Sequence, residues 1–214
     1  MSGAEMAVSA ASGFFGKLPS RGDFLRAGLP RSFVDPWDAW LQRVIAGSKA
    51  RLGEEWLPIW MEAPLWRFAL PGGVCGPDPV LGVWMPSVDR AGRHFPLTVA
   101  QVLTQADATT LMDRAPTWLA VAEEAGLAAL QEDLAPESLS QRLAAPHFGD
   151  PLDVPDMATV SDGYALWWTD GSPLVAPCAF ATAGLPDVTD FTGMIDARND
   201  LNGPAVLGSV GGGG

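Results

Sequence analysis

Residues 64–103 read PLWRFALPGGVCGPDPVLGVWMPSVDRAGRHFPLTVAQVL and contain three apolar runs, at 65–70, 80–88 and 95–103. The segments PGG and DRAGR, rich in glycine, proline and charge, help to separate them. Short apolar runs bounded by turn residues are typical of buried strands. The connections are too short to hold a crossover helix, so consecutive strands must run antiparallel. The sequence therefore predicts a three-stranded antiparallel meander.

A long amphipathic helix is predicted immediately before this meander. Asp35 is expected to be its N-cap and Pro36 its first helical residue, where the missing N–H costs nothing. Gly53 stands where a helix usually ends. Apolar residues recur between these limits at three- and four-residue steps, which places them on one helix face. They are Trp37, Trp40, Leu41, Val44, Ile45 and Leu52.

Weaker patterns predict the remaining elements. A first short strand is expected around residues 13–17, followed by an ordered loop at 18–30 that is rich in glycine and proline. Helices are expected at 54–62 with an interruption near Pro58, from Asp107 to residue 133 with a break or kink at Pro116, and at 138–145. Residues 146–161 read as an irregular connection. GYALWWTD and LVAPCAF, at 163–170 and 174–180, read as a hairpin of buried strands, and Asp187 is expected to cap a last helix.

These elements together indicate the α/β class, with a mixed, largely antiparallel sheet covered by helices on both faces, as a three-layer α/β/α sandwich. The length of 214 residues suits a single domain, which we expect to span residues 13–198. Residues 1–12 and 199–214 are expected to be flexible termini. Nine tryptophans, five of them between residues 37 and 66, are expected mainly to fill the core.

Composition argues against several classes of function. The net charge of −12 disfavours nucleic acid, because phosphate binding needs clustered Lys and Arg. No apolar run approaches the ~18 residues of a membrane helix, and no signal peptide is indicated, so a cytoplasmic protein without membrane insertion is expected. Cys75, Cys178, His94 and His147 lack the spacing of a metal site, so neither metal nor cofactor is predicted.

The most unusual stretch is residues 85–100, where Asp89, Arg90, Arg93 and His94 crowd a turn between two apolar strands. Ser87 as nucleophile, His94 as base and Asp89 as orienting carboxylate would make a small hydrolase. However, no GxSxG motif is present, and residues so close in sequence would have to fold back on one another. An ion pair of Asp89 with Arg90 or Arg93 that holds the turn is the alternative reading.

A second charged segment, GKLPSRGD at residues 16–23, lacks the glycine and Ser/Thr spacing of a phosphate-binding loop. Together with the turn above it is a candidate surface for a protein partner, because charged loops carry binding sites more often than core elements do. The residues that we expect to contact the partner are Lys17, Arg21, Asp23, Arg26, Ser87, Asp89, Arg90, Arg93 and His94.

Three motifs in a fixed order make a resemblance specific. GKLPSRGDF at 16–24, WDAWL at 37–41 and MPSVDRAGRHFPLT at 85–98, with the weaker WWTDG and GLPDVTDF farther on, resemble the N-terminal domain of the TagF family, associated with bacterial type VI secretion. The resemblance covers residues 13–196. No catalytic residue follows from it.

The resemblance implies an adaptor rather than an enzyme. TagF-like proteins are associated with post-translational repression of the secretion machine through an Fha-type forkhead-associated partner, and we expect the same here. The alternatives are the small hydrolase described above and a structural subunit of the apparatus. The sequence does not define the oligomeric state.

Overall fold

A computed structural model of the chain describes residues 9–19, 21–104, 106–132, 134–145 and 149–198. Seven strands form one sheet. They are β1 (Ser9–Gly16), β2 (Leu25–Ala27), β3 (Trp66–Leu70), β4 (Val80–Met85), β5 (Leu97–Thr104), β6 (Ala165–Thr169) and β7 (Cys178–Thr182). Their order across the sheet is β2-β1-β5-β4-β3-β6-β7.

The predicted meander is confirmed, since β4 pairs with both β3 and β5. Strand β4 ends at Met85 and β5 begins at Leu97, so both are shorter than their apolar runs. Pro86 and Pro96 lie just outside these limits, and proline has no N–H to give to a ladder. The predicted hairpin is also confirmed as β6 and β7, although β7 begins at Cys178, four residues later than predicted. Every pairing between the described strands is antiparallel, in agreement with the largely antiparallel sheet of the α/β prediction.

Six α-helices accompany the sheet in the described residues, together with a 3₁₀ turn at Gly53–Glu55. They are α1 (Arg31–Leu52), α2 (Trp56–Glu62), α3 (Ala108–Gln131), α4 (Pro136–Ala144), α5 (Ala158–Ser161) and α6 (Val188–Ile195). One buried cluster joins the sheet to α1, α2 and α6, and a second joins it to α3, α4 and α5. Neighbouring strand residues such as Phe14 and Phe15 belong to different clusters, because successive side chains point to opposite faces.

The predicted start of the first helix is wrong. Helix α1 begins at Arg31, follows the extended residue Pro30, and contains Pro36 in its interior. Phe33 and Val34, upstream of the predicted start, are buried, and the Phe33 ring stacks on Trp37 at 5.3 Å between centroids. Burial of these side chains favours the extra turn despite the missing N–H of Pro36. Gly53 ends the helix as predicted, with φ +56°.

Other boundaries differ in ways that the sheet explains. Strand β2 lies inside the predicted loop because Phe14, Phe15 and Gly16 give it an edge to pair with. Residues 9–12 belong to β1 and pair with β5, so they are not part of a flexible terminus. The predictions for residues 1–8 and 199–214 fall outside the described part of the chain.

The helix predictions have mixed outcomes. Asp107 caps α3 through the N–H of Thr110, as expected, but the helix runs through Pro116 without a break. Asp187 caps α6 in a capping box with Asp190. Pro58 lies in the first turn of α2, where it does not interrupt the helix. Helix α4 begins at Pro136, two residues early, and α5 lies in the stretch expected to be irregular.

Tryptophan fills the core as predicted. Eight of the nine side chains are buried, and Trp118 is half-buried. Several indole N–H groups find partners inside the fold: Trp37 donates to Thr98 Oγ1 at 2.9 Å, and Trp40 donates to the carbonyl oxygen of Pro186 at 2.7 Å. Within the described residues, no helix has the length and apolar character needed to cross a membrane.

Candidate functional site

A buried ion pair lies where the end of β1 meets the turn between β4 and β5. Lys17 Nζ is 2.6 Å from Asp89 Oδ2, and both residues are buried. The pairing of Gly16 with Leu97 brings Lys17 to this turn, although the two charged residues are 72 positions apart. The backbone of Gly16, at φ +135°, lies so close to Pro96 that a Cβ there would meet its carbonyl oxygen. Glycine at this position therefore allows the close approach.

The Asp89 carboxylate also organises its own turn. Oδ1 accepts the backbone N–H groups of Ala91 and Arg93, each at 2.9 Å, and Oδ2 accepts Arg93 Nε at 2.7 Å. Burial acts to raise the pKa of Asp89, but the bonds from Lys17, Arg93 and Ala91 outweigh it and hold the pKa far below its usual range. The predicted ion pair with Arg93 is therefore present, and Lys17 is an additional partner.

Three further hydrogen bonds fasten residues 17–31, here called the 17–31 loop, to residues 86–94, the 86–94 turn. Ser87 Oγ donates to the carbonyl oxygen of Lys17 at 2.8 Å. The Arg90 N–H donates to the carbonyl oxygen of Arg21 at 3.0 Å, and the Arg93 guanidinium donates to the carbonyl oxygen of Gly22. These bonds join the two segments into one surface.

The predicted site residues separate into two sets on this surface. Lys17, Ser87 and Asp89 are buried and hold the backbone, and His94 is half-buried. The side chains that remain open to a partner are Arg21, Asp23, Arg26, Arg90 and Arg93.

An aromatic side chain that the sequence analysis missed belongs to the same surface. Phe24 is 50% exposed, with Lys17 Nζ 4.9 Å from its ring centroid and Phe95 4.8 Å from it. Its position in the SRGDF segment, directly after the charged residues, was the available signal.

No hydrogen bond links Ser87, Asp89 and His94 into a catalytic triad. The Ser87 hydroxyl is engaged by Lys17, and the Asp89 carboxylate is engaged by Lys17 and Arg93. The His94 ring instead packs edge-on against Trp56 at 5.9 Å between centroids. Burial lowers the pKa of His94, and the nearby charge of Lys49 lowers it further. Among the described residues no group of three or more His, Cys, Asp or Glu could hold a metal ion.

Two of the depressions on the surface of the described residues are relevant to the site. The first, of about 120 Å³, opens beside the 86–94 turn and is bordered by α2 and α3. It is lined by Pro19, Trp60, Met61, Pro86, Ser87, Val88 and Leu130 and is here called the Met61 groove. The second, of about 400 Å³, lies along α3, and its lining includes Glu123, Glu124, Leu127 and Asp150.

Charge distinguishes the loop and turn from the rest of the molecule. The 17–31 loop and the 86–94 turn hold six of the 13 Lys and Arg residues but only two of the 25 acidic residues. The fold and this site define an α/β protein that carries a fixed, locally basic surface on an acidic chain.

Comparison with known proteins agrees with the sequence resemblance. Residues 13–145 match the model of the TagF N-terminal domain, described as type VI secretion system-associated. The chain therefore belongs to the TagF N-terminal domain family and is a type VI secretion-associated protein. This is not a known enzyme family. The match ends before β6 and β7, which nevertheless continue the same sheet.

A solved structure is similar over nearly the whole chain. It is the crystal structure of PA0076 from Pseudomonas aeruginosa PAO1, with 34% sequence identity and a TM-score of 0.75. The similarity covers 90% of this chain and 96% of the PA0076 chain. No match was found among curated proteins.

Proposed function

We propose that the protein is a cytoplasmic regulatory adaptor that represses type VI secretion post-translationally by binding an Fha-type forkhead-associated partner. The observation that carries this proposal is the basic surface of the 17–31 loop and 86–94 turn on a chain of net charge −12. A positively charged surface on a protein of negative net charge favours a partner with an acidic face and speeds the encounter with it. Membership of a type VI secretion-associated family supports the biological setting.

The hydrogen bonds that hold the loop and turn favour a protein partner over a small-molecule substrate. Lys17, Asp89 and Ser87 hold the loop and turn from below, so the exposed arginines are presented with little freedom to be lost on binding. The Met61 groove of about 120 Å³ is smaller than the roughly 300–1,000 Å³ typical of small-molecule sites. Both features suit recognition of another protein.

The test is a charge reversal at the exposed arginines. Arg21→Glu/Arg90→Glu should leave thermal unfolding near that of the wild type, because both side chains are exposed. Binding of the purified Fha-type partner from the same genome, measured by calorimetry, should weaken at least about tenfold. Export of a type VI effector into the medium should rise in cells that carry this variant.

The matched control is Arg43→Glu/Arg114→Glu, which makes the same charge change at two exposed positions on α1 and α3. It should bind and repress as the wild type does. If the wild-type protein does not bind the Fha-type partner, the proposed function is wrong. Equal effects of the two double variants would show that net charge, and not this surface, drives binding. Asp89 is a poor choice for this test because its replacement leaves Lys17 buried without a counter-ion.

A further inference from the structure

The Met61 groove adjoins the basic surface without belonging to its charged part. Pro19 comes from the 17–31 loop and Val88 from the 86–94 turn, and each lies two residues from an exposed arginine. The Arg90 N–H donates to the carbonyl oxygen of Arg21 at 3.0 Å, so the backbones of both arginines meet beside the groove. Two exposed arginines therefore stand two residues from the lining of an apolar depression, and we call them its basic rim.

Helix α2 extends this apolar surface outward. Its inner face buries Trp56, Ile59 and Trp60 in the core. Its outer face exposes Met61 by 63% and Leu57 by 47%, and these residues are one helical turn apart on the same side. Large apolar side chains exposed together and next to a groove are a feature of binding surfaces. Methionine adapts its shape to different partners and is common at such positions.

The dimensions limit what the groove can hold. A volume of about 120 Å³ is well below the roughly 300–1,000 Å³ of a small-molecule site, so the groove suits a single side chain better than a whole ligand. Trp60 and Leu130 line the groove. Ser87 is the polar residue in the lining, and its hydroxyl already donates to the carbonyl oxygen of Lys17. The site therefore suits an apolar anchor and has little to offer a polar ligand.

We propose that the Met61 groove receives a single large apolar side chain from an acidic segment of the protein partner, while carboxylates flanking that side chain pair with Arg21 and Arg90. The acidic character of the segment follows from the basic rim, and its apolar anchor follows from the groove and from Leu57 and Met61. This inference rests on the proposed function, because it assigns the partner's contact chemistry at the same surface.

The test combines one groove variant with two matched controls. Met61→Lys should weaken binding of the purified Fha-type partner at least about tenfold, because it places a charge where the partner's apolar side chain would pack. Tyr164→Lys changes a side chain that is 47% exposed. Tyr164 follows α5 and is about 100 positions from Met61 in the sequence. Leu127→Lys changes an apolar residue that lines the second depression. Both controls should bind within about twofold of the wild type.

Photo-crosslinking identifies the segment that occupies the groove. A benzophenone amino acid at Met61 should crosslink to the purified partner, and mass spectrometry of the product should map to a segment with an apolar residue flanked by Asp or Glu. The same probe at Tyr164 should give no such product. A crosslinked segment without acidic residues would overturn the proposal.

The remaining outcomes separate this inference from the proposed function. If Arg21→Glu/Arg90→Glu loses binding while Met61→Lys does not, the basic surface stands and the groove proposal is wrong. Loss of self-association by Met61→Lys in sedimentation, with partner binding unchanged, would assign the groove to a second copy of this chain and also overturn it. Absence of wild-type binding would overturn both.

Discussion

Lys17 and Asp89 form a buried ion pair at 2.6 Å that joins the end of β1 to the turn between β4 and β5. Both charged side chains are almost fully shielded from solvent, so each depends on the other and on the hydrogen bonds around the pair. Asp89 has three further hydrogen bonds, from Ala91 and Arg93. The pair is thus part of a network that fixes the surface proposed to bind a partner.

Removing one member of the pair should destabilise the protein more than removing both. Lys17→Met leaves the Asp89 carboxylate buried with only Arg93 as counter-ion, and we expect Tm to fall by about 10 °C. Lys17→Met/Asp89→Leu removes both charges and should recover part of this loss. Thermal melts followed by circular dichroism measure both Tm values. Arg90→Ala changes an exposed side chain and is the control, whose Tm should equal that of the wild type. Equal Tm values for Lys17→Met and wild type would show that the pair contributes nothing.

The lowered pKa of Asp89 predicts a loss of stability in acid. An unfolded aspartate binds its proton near pH 3.9, whereas folded Asp89 stays ionised to lower pH. Its contribution is therefore complete above the unfolded pKa and is lost as pH falls from about 4 toward the lower folded pKa. The Tm difference between wild type and Asp89→Asn should shrink between pH 5 and about pH 3. Asp107 and Asp196, whose pKa values are also lowered, are common to both proteins and cancel. A constant difference would contradict the prediction.

The strands could be predicted from the sequence because their evidence is local. The meander of β3, β4 and β5 and the hairpin of β6 and β7 show up as apolar runs with turn residues between them. The cap of α6 at Asp187 is equally local, since a capping box spans four residues. What the sequence alone did not show is how these units join into one sheet, with β3 beside β6 and β1 beside β5. The pairing of β1 with β5 joins residues that are 81 to 95 positions apart, from Gly16 with Leu97 to Ser9 with Thr104, and depends on the whole sheet.

The candidate site illustrates the same division. The sequence indicated an ion pair between Asp89 and a nearby arginine, and Arg93 fulfils it within four residues. Lys17 was placed at the surface because nothing local showed that it would be buried, and its burial follows from the pairing of Gly16 with Leu97. Helix α1 starts early for a related reason, since the burial of Phe33 is a tertiary effect that outweighs the local signal of Pro36.

Two carboxylates bind the buried guanidinium of Arg67 on β3. We expect the more buried carboxylate to contribute more to stability. Arg67 Nη2 is 2.7 Å from Glu123 Oε2 on α3 and 2.6 Å from Asp170 Oδ2. The Asp170 side chain is 83% exposed, so water screens its charge, whereas Glu123 is largely covered. We expect Glu123→Gln to lower the free energy of unfolding by about 2 kcal/mol and Asp170→Asn by less than about 1 kcal/mol. Urea denaturation measures both, and the reverse order would contradict the prediction.

A glycine in the middle of the sheet should not tolerate a side chain. Gly82 on β4 is paired with Phe68 on β3, and a Cβ at Gly82 would overlap the Phe68 ring. That ring is held by Trp37 at 4.7 Å and Trp167 at 5.5 Å between centroids, so it has little room to move. Gly82→Ala should cost about 1–3 kcal/mol of stability. Gly184→Ala, where a Cβ meets no atom within 4 Å, is the control and should be near neutral in the same urea titration.

Phe24 should matter more for partner binding than for stability. Half of its surface faces solvent, so Phe24→Ala should lower the free energy of unfolding by only about 1 kcal/mol, mainly through its contacts with Phe15, Phe95 and Lys17. The exposed ring lies on the basic surface, and aromatic side chains in such positions often dominate interface energies. Affinity for the Fha-type partner should therefore fall at least about tenfold by calorimetry, whereas Phe24→Tyr, which keeps the ring, should bind nearly as the wild type does. Unchanged affinity in Phe24→Ala would place the interface away from this ring.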